Sequence, residues 1–253
     1  PTAVLTADWH LRHDNPTCRT DDFIEQQWKK LEFINNLQRQ YDIPILVAGD
    51  VFHKAINPNW FITQVMRHFP SNVYTVYGNH DVPAHNLENA ERSSIYTLQQ
   101  AGLINVLPEV HFDQEPKDES REVAVWHQFV WKGEKEPWPG CQEPTADEIL
   151  EKYPQFKLIL TGDNHRPFVV EKEGRLLVNA GCITRQEASF ADFEPRVYLW
   201  YAKTNEVEEV YLPINEGVVT REHLEKKEKR DERITAFVER INQDYETSVS
   251  FES

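Results

Sequence analysis

Cysteine, glycine and long apolar runs are scarce in this sequence of 253 residues. The three cysteines, Cys18, Cys141 and Cys182, are widely spaced and form no CxxC pair, which argues against a disulfide scaffold and favours a reducing cytosol. No apolar run approaches the ~18 residues that a membrane span needs, and the N-terminus shows no signal-peptide pattern. We therefore predict a cytoplasmic protein that does not associate with membranes.

Basic residues are also few, since 27 Lys and Arg face 42 Asp and Glu and leave a net charge of −15. This balance argues against a wide basic face with which the chain alone could bind nucleic acid. An enzyme that acts on phosphodiesters stays open, because bound divalent metals reverse the local field inside a site.

Short apolar runs alternate with helical patterns over the first hundred residues. Residues 3–7, 45–48 and 73–77 are typical of buried strands, and the stretches between them have the three- and four-residue periodicity of helices. This order predicts a parallel α/β layer. The second helix is predicted to open with Asn57 as its cap and Pro58 in its first turn. A further helix is predicted from about Ser93 to Ala101, and Thr145 with Glu148 predicts a capping box on a short helix that ends at Tyr153.

Loops and closely spaced strands are predicted further along the chain. Residues 113–122 lack periodicity and predict an acidic surface loop. The stretch 130–144 predicts a long exposed loop, in which Trp131 and Trp138 serve packing or a lid rather than base stacking. Strands between residues 168 and 212 follow one another closely, which favours antiparallel pairing.

The end of the chain differs in character from the rest. Nearly every residue in 221–233 is charged, and Ile234, Phe237, Val238 and Ile241 then mark one face of a helix. The simplest interpretation is a solvated helix, and the apolar face could also dock a partner. We predict a catalytic domain over 1–213 and a charged helical appendage over 214–253.

Several apolar strands end in side chains that bind metals. The carboxyl ends of strands are where α/β sheets assemble their sites. Carboxylate, amide and imidazole groups together suit Mn, Fe or Zn, and there are more of them than one tetrahedral ion needs, which favours two metals that share a carboxylate. These side chains are Asp8 and His10, Asp50, Asn79 and His80, His127, and Asp163 with His165.

The blocks DWH, GDVFH, GNHD, His127 and GDNH resemble, in this order, the calcineurin-like metallophosphoesterase superfamily over residues 3–212. Within it, Phe52-His53 and the segment NAGCITRQ at 179–186 resemble the DNA-repair nuclease branch, the SbcD-type exonucleases of bacteria and phages. The resemblance implies an α/β fold, a four-layer αββα sandwich of two mixed sheets with the dimetal site at the strand ends.

The resemblance also implies a role for each polar residue. The metal ligands would be Asp8, His10 and His165 for the first ion, Asn79 and His127 for the second, and Asp50 between them. Two divalent ions, Mn first with Mg, Fe or Zn as alternatives, would activate the attacking water. His80 would protonate or stabilise the leaving oxygen, Asp81 would fix the orientation of the His80 ring, and His53 would contact the substrate phosphate.

One block departs from the family pattern. The last block is usually Gly-His-x-His, whereas this sequence reads Gly162-Asp163-Asn164-His165. Asp163 therefore replaces an imidazole at the second metal. This carboxylate could shift the metal preference toward harder cations, or it could weaken the second site.

Three functions follow from these patterns. The first is a Mn-dependent DNA exo- or endonuclease of the SbcD type, with a coiled-coil ATPase like SbcC supplying the DNA affinity that a chain of net charge −15 lacks; a homodimer is also open. The second is a phosphatase or small-molecule phosphodiesterase with the same dimetal site, favoured by the missing basic surface. The third is a scaffold that has lost catalysis, which Asp163 alone supports.

Overall fold

The computed structural model describes residues 1–107 and 122–222. The strands in this part of the chain are β1 Ala3–Thr6, β2 Ile45–Val47, β3 Val73–Thr75, β4 Ile104–Val106, β5 Val123–Trp126, β6 Leu158–Thr161, β7 Phe168–Lys172, β8 Arg175–Asn179, β9 Arg196–Tyr201 and β10 Glu206–Tyr211. The α-helices are α1 Phe23–Tyr41, α2 Asn59–His68, α3 Ser94–Gln100 and α4 Ala146–Lys152. Short 3-10 turns lie at Pro83–His85, Leu87–Arg92 and Ala188–Phe190.

The strands form two mixed sheets. The larger has the order β10-β9-β1-β2-β3-β4 and the smaller β5-β6-β8-β7. Strands β1 to β4 pair in parallel, which confirms the parallel layer predicted for the first hundred residues. The later hairpins β7–β8 and β9–β10 are antiparallel as expected, but β8 also pairs in parallel with β6. Spacing along the chain could not show that pairing, and strand β4 is an addition to the predicted strands.

The two sheets pack face to face through one apolar core. Leu5 of β1 and Trp200 of β9 lie in the same buried cluster as Leu160 of β6 and Val178 of β8. Side chains alternate across a strand, so Val4, the neighbour of Leu5, points to the opposite face of the large sheet. Each sheet therefore has one face in this shared core and one face turned outward.

Helices cover both outward faces. Leu31 of α1 and Phe61 of α2 pack with Val4 on the large sheet. On the small sheet, Leu150 of α4 packs with Ile159 of β6. The layers are thus helix, sheet, sheet and helix, which confirms the predicted sandwich.

Helix starts match the sequence in two cases and differ in one. Thr145 and Glu148 form the expected capping box of α4, and Ser93 caps α3. Helix α2, however, begins after Pro58 rather than after Asn57. The predicted cap is wrong because the Asn57 side chain donates instead to Lys54 O at 2.6 Å.

Two predictions fall largely outside the described residues. The acidic loop at 113–122 lies there except for Glu122, and so do residues 223–253 of the predicted appendage. The chain just before them returns to the domain, since Thr220 N donates to Cys18 O at 2.8 Å. The division at residue 213 stays a prediction. None of the helices in the described ranges is long and apolar enough to cross a membrane.

Candidate metal centre

The predicted ligands meet at one edge of the two facing sheets, where strands β1, β2, β3, β5 and β6 end. Asp8, His10 and His165 each offer a ligand atom within 4.8 Å of the others. Asp8, Asp50 and His127 form a second such group. Because Asp8 belongs to both groups, the two sets adjoin. The described residues therefore contain His and Asp groups that could hold metal ions.

Several of these residues have a backbone conformation that residues other than glycine rarely adopt. The φ angles of Asp8, His10, Asp50 and Asp163 are 49°, 44°, 52° and 69°, all in the left-handed region. Asp and His tolerate this region better than most residues, yet each such residue still costs about 1–3 kcal/mol. The strain at the strand ends turns the side chains inward, toward one another.

Glycines leave the room that this crowding needs. A Cβ on Gly49 would lie 2.6 Å from His127 Nδ1, and a Cβ on Gly78 would overlap the Asp50 carboxylate. Both distances are shorter than real Cβ contacts, so any side chain there would displace a candidate ligand. This close approach explains why Gly precedes Asp50 and Asn79 in the sequence blocks.

Two imidazoles converge at the first set. His10 Nε2 lies 3.0 Å from His165 Nε2 and 3.6 Å from Asp50 Oδ2. Burial lowers the pKa of His10 well below its usual value, and burial also lowers the pKa of His165. Both rings are therefore held neutral, with a nitrogen lone pair available, which is the form that binds metals.

His127 is oriented by its contact with the backbone. Its Nδ1 lies 2.7 Å from the carbonyl oxygen of Ala48, which can only accept, so Nδ1 carries the proton. Nε2 then faces Asn79 Oδ1 at 3.1 Å and Asp50 Oδ2 at 3.4 Å. Burial alone would lower the pKa of His127, but the hydrogen bond and charge of Asp50 raise it. The arrangement brings together the three residues predicted around the second ion.

The burial and hydrogen bonding of the two central carboxylates show whether the site can hold cations. Asp8 and Asp50 are almost fully buried. Asp8 Oδ2 has no hydrogen-bond partner within the described ranges, and Asp50 Oδ2 faces the imidazoles of His127 and His10 at 3.4 and 3.6 Å. Burial raises the pKa of Asp8 to about 8 against the opposing charge of His127, because a carboxylate removed from water prefers its neutral form. A cation facing these oxygens would supply the missing partner and keep the carboxylate charged. The residues present therefore fit divalent metals.

Asp163 lies at the rim of this cluster. Its backbone amide donates to Asp8 Oδ1 at 3.0 Å, and its Oδ1 is 3.8 Å from His127 Nε2. The Asp163 side chain is 37% exposed, far more than Asp8 or Asp50. The structure thus brings Asp163 near the second set, in a more open position than the other carboxylates.

The predicted catalytic histidines stand beside the first set. The His53 and His80 rings stack with centroids 5.7 Å apart, and the His80 ring lies edge-on to His10 at 4.9 Å. His80 Nδ1 lies 2.9 Å from the carbonyl oxygen of His53. The His80 amide donates to Asp50 Oδ1 at 2.8 Å, so the bridging candidate also positions this loop.

The predicted role of Asp81 needs a correction. Its buried carboxylate accepts from the amides of Phe52 at 2.9 Å, Gly78 at 3.0 Å and Val51 at 3.2 Å. These bonds occupy its oxygens, and the His80 ring is oriented by the His53 carbonyl instead. Asp81 therefore ties the loop after β2 to the loop after β3. Burial raises its pKa to about 7, and the nearby Asp50 charge adds to this.

Sequence reasoning missed several residues around the site. A cavity of about 180 Å³ is lined by His10, Arg12, His53, His80, His165, Cys182, Thr184, Gln186, Glu187 and Phe190. Arg12 is held by two bonds to Asp14, at 2.9 and 2.7 Å. Gln186 Nε2 donates to His10 O at 3.0 Å. Gln186 ends the NAGCITRQ segment, which was a usable signal, whereas no motif pointed to Arg12.

The comparison with protein families decides the identity of the fold. A model of the calcineurin-like phosphoesterases matches residues 1–167. The chain belongs to this family. Membership in this phosphoesterase family supports hydrolysis of phosphoester bonds with divalent metals, and the His and Asp clusters of the site agree with that chemistry. A search of curated proteins returned no match.

Solved structures of low sequence identity resemble this phosphoesterase. TT1561 of Thermus thermophilus is 12% identical with a TM-score of 0.47, covering 83% of this chain and 98% of its own. An archaeal phosphodiesterase is 12% identical with a TM-score of 0.45, covering 83% and 99%. Zn-complexed Vps29 from Entamoeba histolytica is 14% identical with a TM-score of 0.40, covering 83% and 99%. At such identities these likenesses do not indicate a substrate.

Proposed function

We propose that this phosphoesterase is a Mn-dependent DNA nuclease of the SbcD type. One observation carries the proposal: both sequence features that resemble the nuclease branch reach the same cavity. His53 completes the GDVFH block, and Thr184 and Gln186 belong to NAGCITRQ, yet all three line the cavity beside His10 and His165. The two features are far apart in sequence, so their convergence on one site supports a shared role in binding substrate.

The candidate ligands divide between two ions. Asp8, His10 and His165 would hold one, Asn79 and His127 the other, and Asp50 lies between the two sets; Asp163 is an additional candidate at the second. When bound, two divalent cations would neutralise phosphate charge and lower the pKa of water. The carboxylates and neutral imidazoles suit Mn, with Mg, Fe or Zn as alternatives.

His80 is the proposed proton donor to the leaving oxygen. The carbonyl oxygen of His53 can only accept, so His80 Nδ1 donates to it and Nε2 is left for the substrate. A donor at Nε2 requires the doubly protonated ring, which makes His80 a general acid rather than a base at this step. We also propose that His53, whose ring stacks on His80, contacts the phosphate.

DNA affinity is the property that a partner would have to supply to this acidic chain. With a net charge of −15, DNA affinity of the chain alone should be weak and fall steeply with salt. We propose an SbcC-like coiled-coil ATPase as the partner that supplies this affinity, and residues 214–253 as the segment that docks it. Tight DNA binding only in the presence of such an ATPase would support this division of labour.

The proposal is tested by hydrolysis of labelled single- and double-stranded DNA with Mn, Mg or chelator. We expect Mn-dependent cleavage that is lost with chelator and in Asp50→Asn, because Asp50 contacts both ligand sets. A nitrophenyl phosphodiester measured in parallel reports on the hydrolytic site without DNA binding. Hydrolysis of that compound, with no cleavage of either DNA in the presence or absence of an ATPase partner, would contradict the nuclease assignment.

The acidic surface favours a second candidate, a phosphatase or small-molecule phosphodiesterase with the same residues. Such an enzyme needs no basic surface, in agreement with 42 acidic against 27 basic residues. Faster turnover of a small phosphoester than of any DNA, with and without an ATPase partner, would favour this candidate.

A further inference from the structure

A groove opens beside the candidate metal centre. It has a volume of about 510 Å³, within the range of ligand sites, and its walls come mainly from residues 129–138 and 163–168. His165 and Phe190 line both this groove and the smaller cavity with His10, His53 and His80. A substrate whose phosphate lies in the cavity would therefore extend directly into the groove.

One aromatic side chain in this groove is open to a ligand. Trp131 is half-buried, and its indole nitrogen donates to Glu143 O at 2.8 Å, so it serves the packing that the sequence predicted. Trp138 is 45% exposed and lies against Phe129 with ring centroids 5.1 Å apart. Phe129 thus restrains a large exposed ring beside the site. Packing alone leaves nearly half of that ring in contact with water.

The groove also carries positive charge in a strongly acidic chain. Lys132, Lys135 and Arg166 line it together with the carboxylates of Glu134 and Asp163, which leaves one net positive charge, and Lys132 pairs with Glu134 at 2.7 Å. Across residues 1–107 and 122–222, no carboxylate forms an ion pair with Lys135 or Arg166. Both cations are therefore available to an anionic ligand that passes along the aromatic wall.

We infer that this groove binds an unpaired nucleotide next to the scissile phosphate, with its base on Trp138 and its flanking phosphates near Lys135 and Arg166. The inference rests on the proposed nuclease function and adds a preference for single strands. Aromatic rings beside basic side chains are how proteins bind single-stranded nucleic acid, because every base has a stackable face. A paired base has that face covered by its neighbours, so a duplex would not use the groove.

Binding of labelled oligomers, measured by fluorescence anisotropy on Asp50→Asn at fixed salt, tests this inference without catalysis. The probes are a single-stranded oligothymidylate and an oligomer of equal length built from abasic units. In this background, adding Trp138→Ala should raise the Kd for oligothymidylate about 5-fold or more and leave the abasic Kd unchanged. Trp138→Phe should restore most of the affinity. Tyr211→Ala, which removes an exposed aromatic on β10, is the matched control and should change neither Kd.

Three outcomes would overturn the inference. They are equal Kd values for the two oligomers before Trp138 is changed, an unchanged oligothymidylate Kd in Trp138→Ala, and equal losses for both oligomers in that variant. The last would mean that Trp138 acts through the shape of the loop and not through the base. Failure of the nuclease proposal is distinguishable, because it would show as absent DNA cleavage, with and without an ATPase partner, by the chain with Asp50 intact.

Discussion

Lys30 offers a sharp test of the physical chemistry of this fold. Its side chain is 5% exposed on the inner side of α1, where Nζ donates to Pro213 O at 2.7 Å. Burial, with smaller contributions from the charges of Arg185 and Arg19, lowers the pKa of Lys30 from 10.5 to about 7. The ammonium form is thus disfavoured in the folded protein relative to the unfolded chain.

This difference makes stability depend on pH in a known direction. Between pH 7 and 10.5 the unfolded chain keeps the Lys30 proton while the folded chain loses it, so the free energy of unfolding rises with pH. The contribution of Lys30 is full above 10.5 and is lost as the pH falls to about 7. From pH 7 to 9 it amounts to at most about 2 kcal/mol.

Replacement of Lys30 by Met isolates this contribution. The variant leaves Pro213 O without its donor, a cost of about 1–3 kcal/mol that should not change with pH. The difference in unfolding free energy, wild type minus Lys30→Met, should therefore grow by about 1–2 kcal/mol between pH 7 and 9. Groups that titrate equally in both proteins cancel from this difference.

Urea unfolding at pH 7, 8 and 9 measures the effect. Lys29→Met is the matched control on the same helix, because the Lys29 side chain is 53% exposed and pairs with Glu25 on the surface. This control should stay within about 0.5 kcal/mol of the wild type at every pH. A wild-type minus Lys30→Met difference that is constant with pH would refute the reasoning.

Three further predictions concern the site itself. Gly78→Ala should destabilise the fold by about 1–3 kcal/mol and reduce bound metal, measured by unfolding and metal analysis, because its Cβ would overlap Asp50. Gly102→Ala is the control, because its added Cβ would contact no neighbouring atom. It should lower the free energy of unfolding by about 1 kcal/mol through its left-handed backbone and leave metal content unchanged. Equal metal loss in both variants would refute the steric argument. His80→Ala should abolish turnover while keeping both metals, and full activity would exclude its role as an acid. Asp163→His should raise occupancy of the second metal if Asp163 is a poor ligand, and unchanged metal content and activity would argue against that.

Local sequence signals predicted local structure well where they were strong. The capping box at Thr145 and Glu148 appeared as expected, because both partners lie within one turn of the chain. The cap at Asn57 was wrong because its side chain bonds to Lys54 O and to Ser94, which comes from a distant helix start. Strand β4 was missed because it is held by pairing with β3 rather than by its own pattern.

Contacts between distant segments also decided the roles of residues in the site. The family resemblance implied that Asp81 orients the ring of His80, its neighbour in sequence, but in the fold its carboxylate faces the amides of Phe52 and Gly78. Arg12 was missed because nothing in its own neighbourhood marks it, and only the closing of the cavity brings it beside the histidines. Adjacency along the chain is a poor guide to contact wherever loops fold back on one another.

The sequence by itself determined the family and the residue types of the site. The polar blocks and their order can be recognised without coordinates, because each block directly follows an apolar strand in the sequence and the strands alternate with helices along the chain. Only the tertiary structure decided which atoms face one another: the contact of Asp81 with the amides of Phe52 and Gly78, the left-handed turns at Asp8 and Asp50, and the exposure of Trp138 beside the site. These depend on contacts between segments far apart in sequence, whose relative placement is set by packing of the whole sandwich and not by any local pattern.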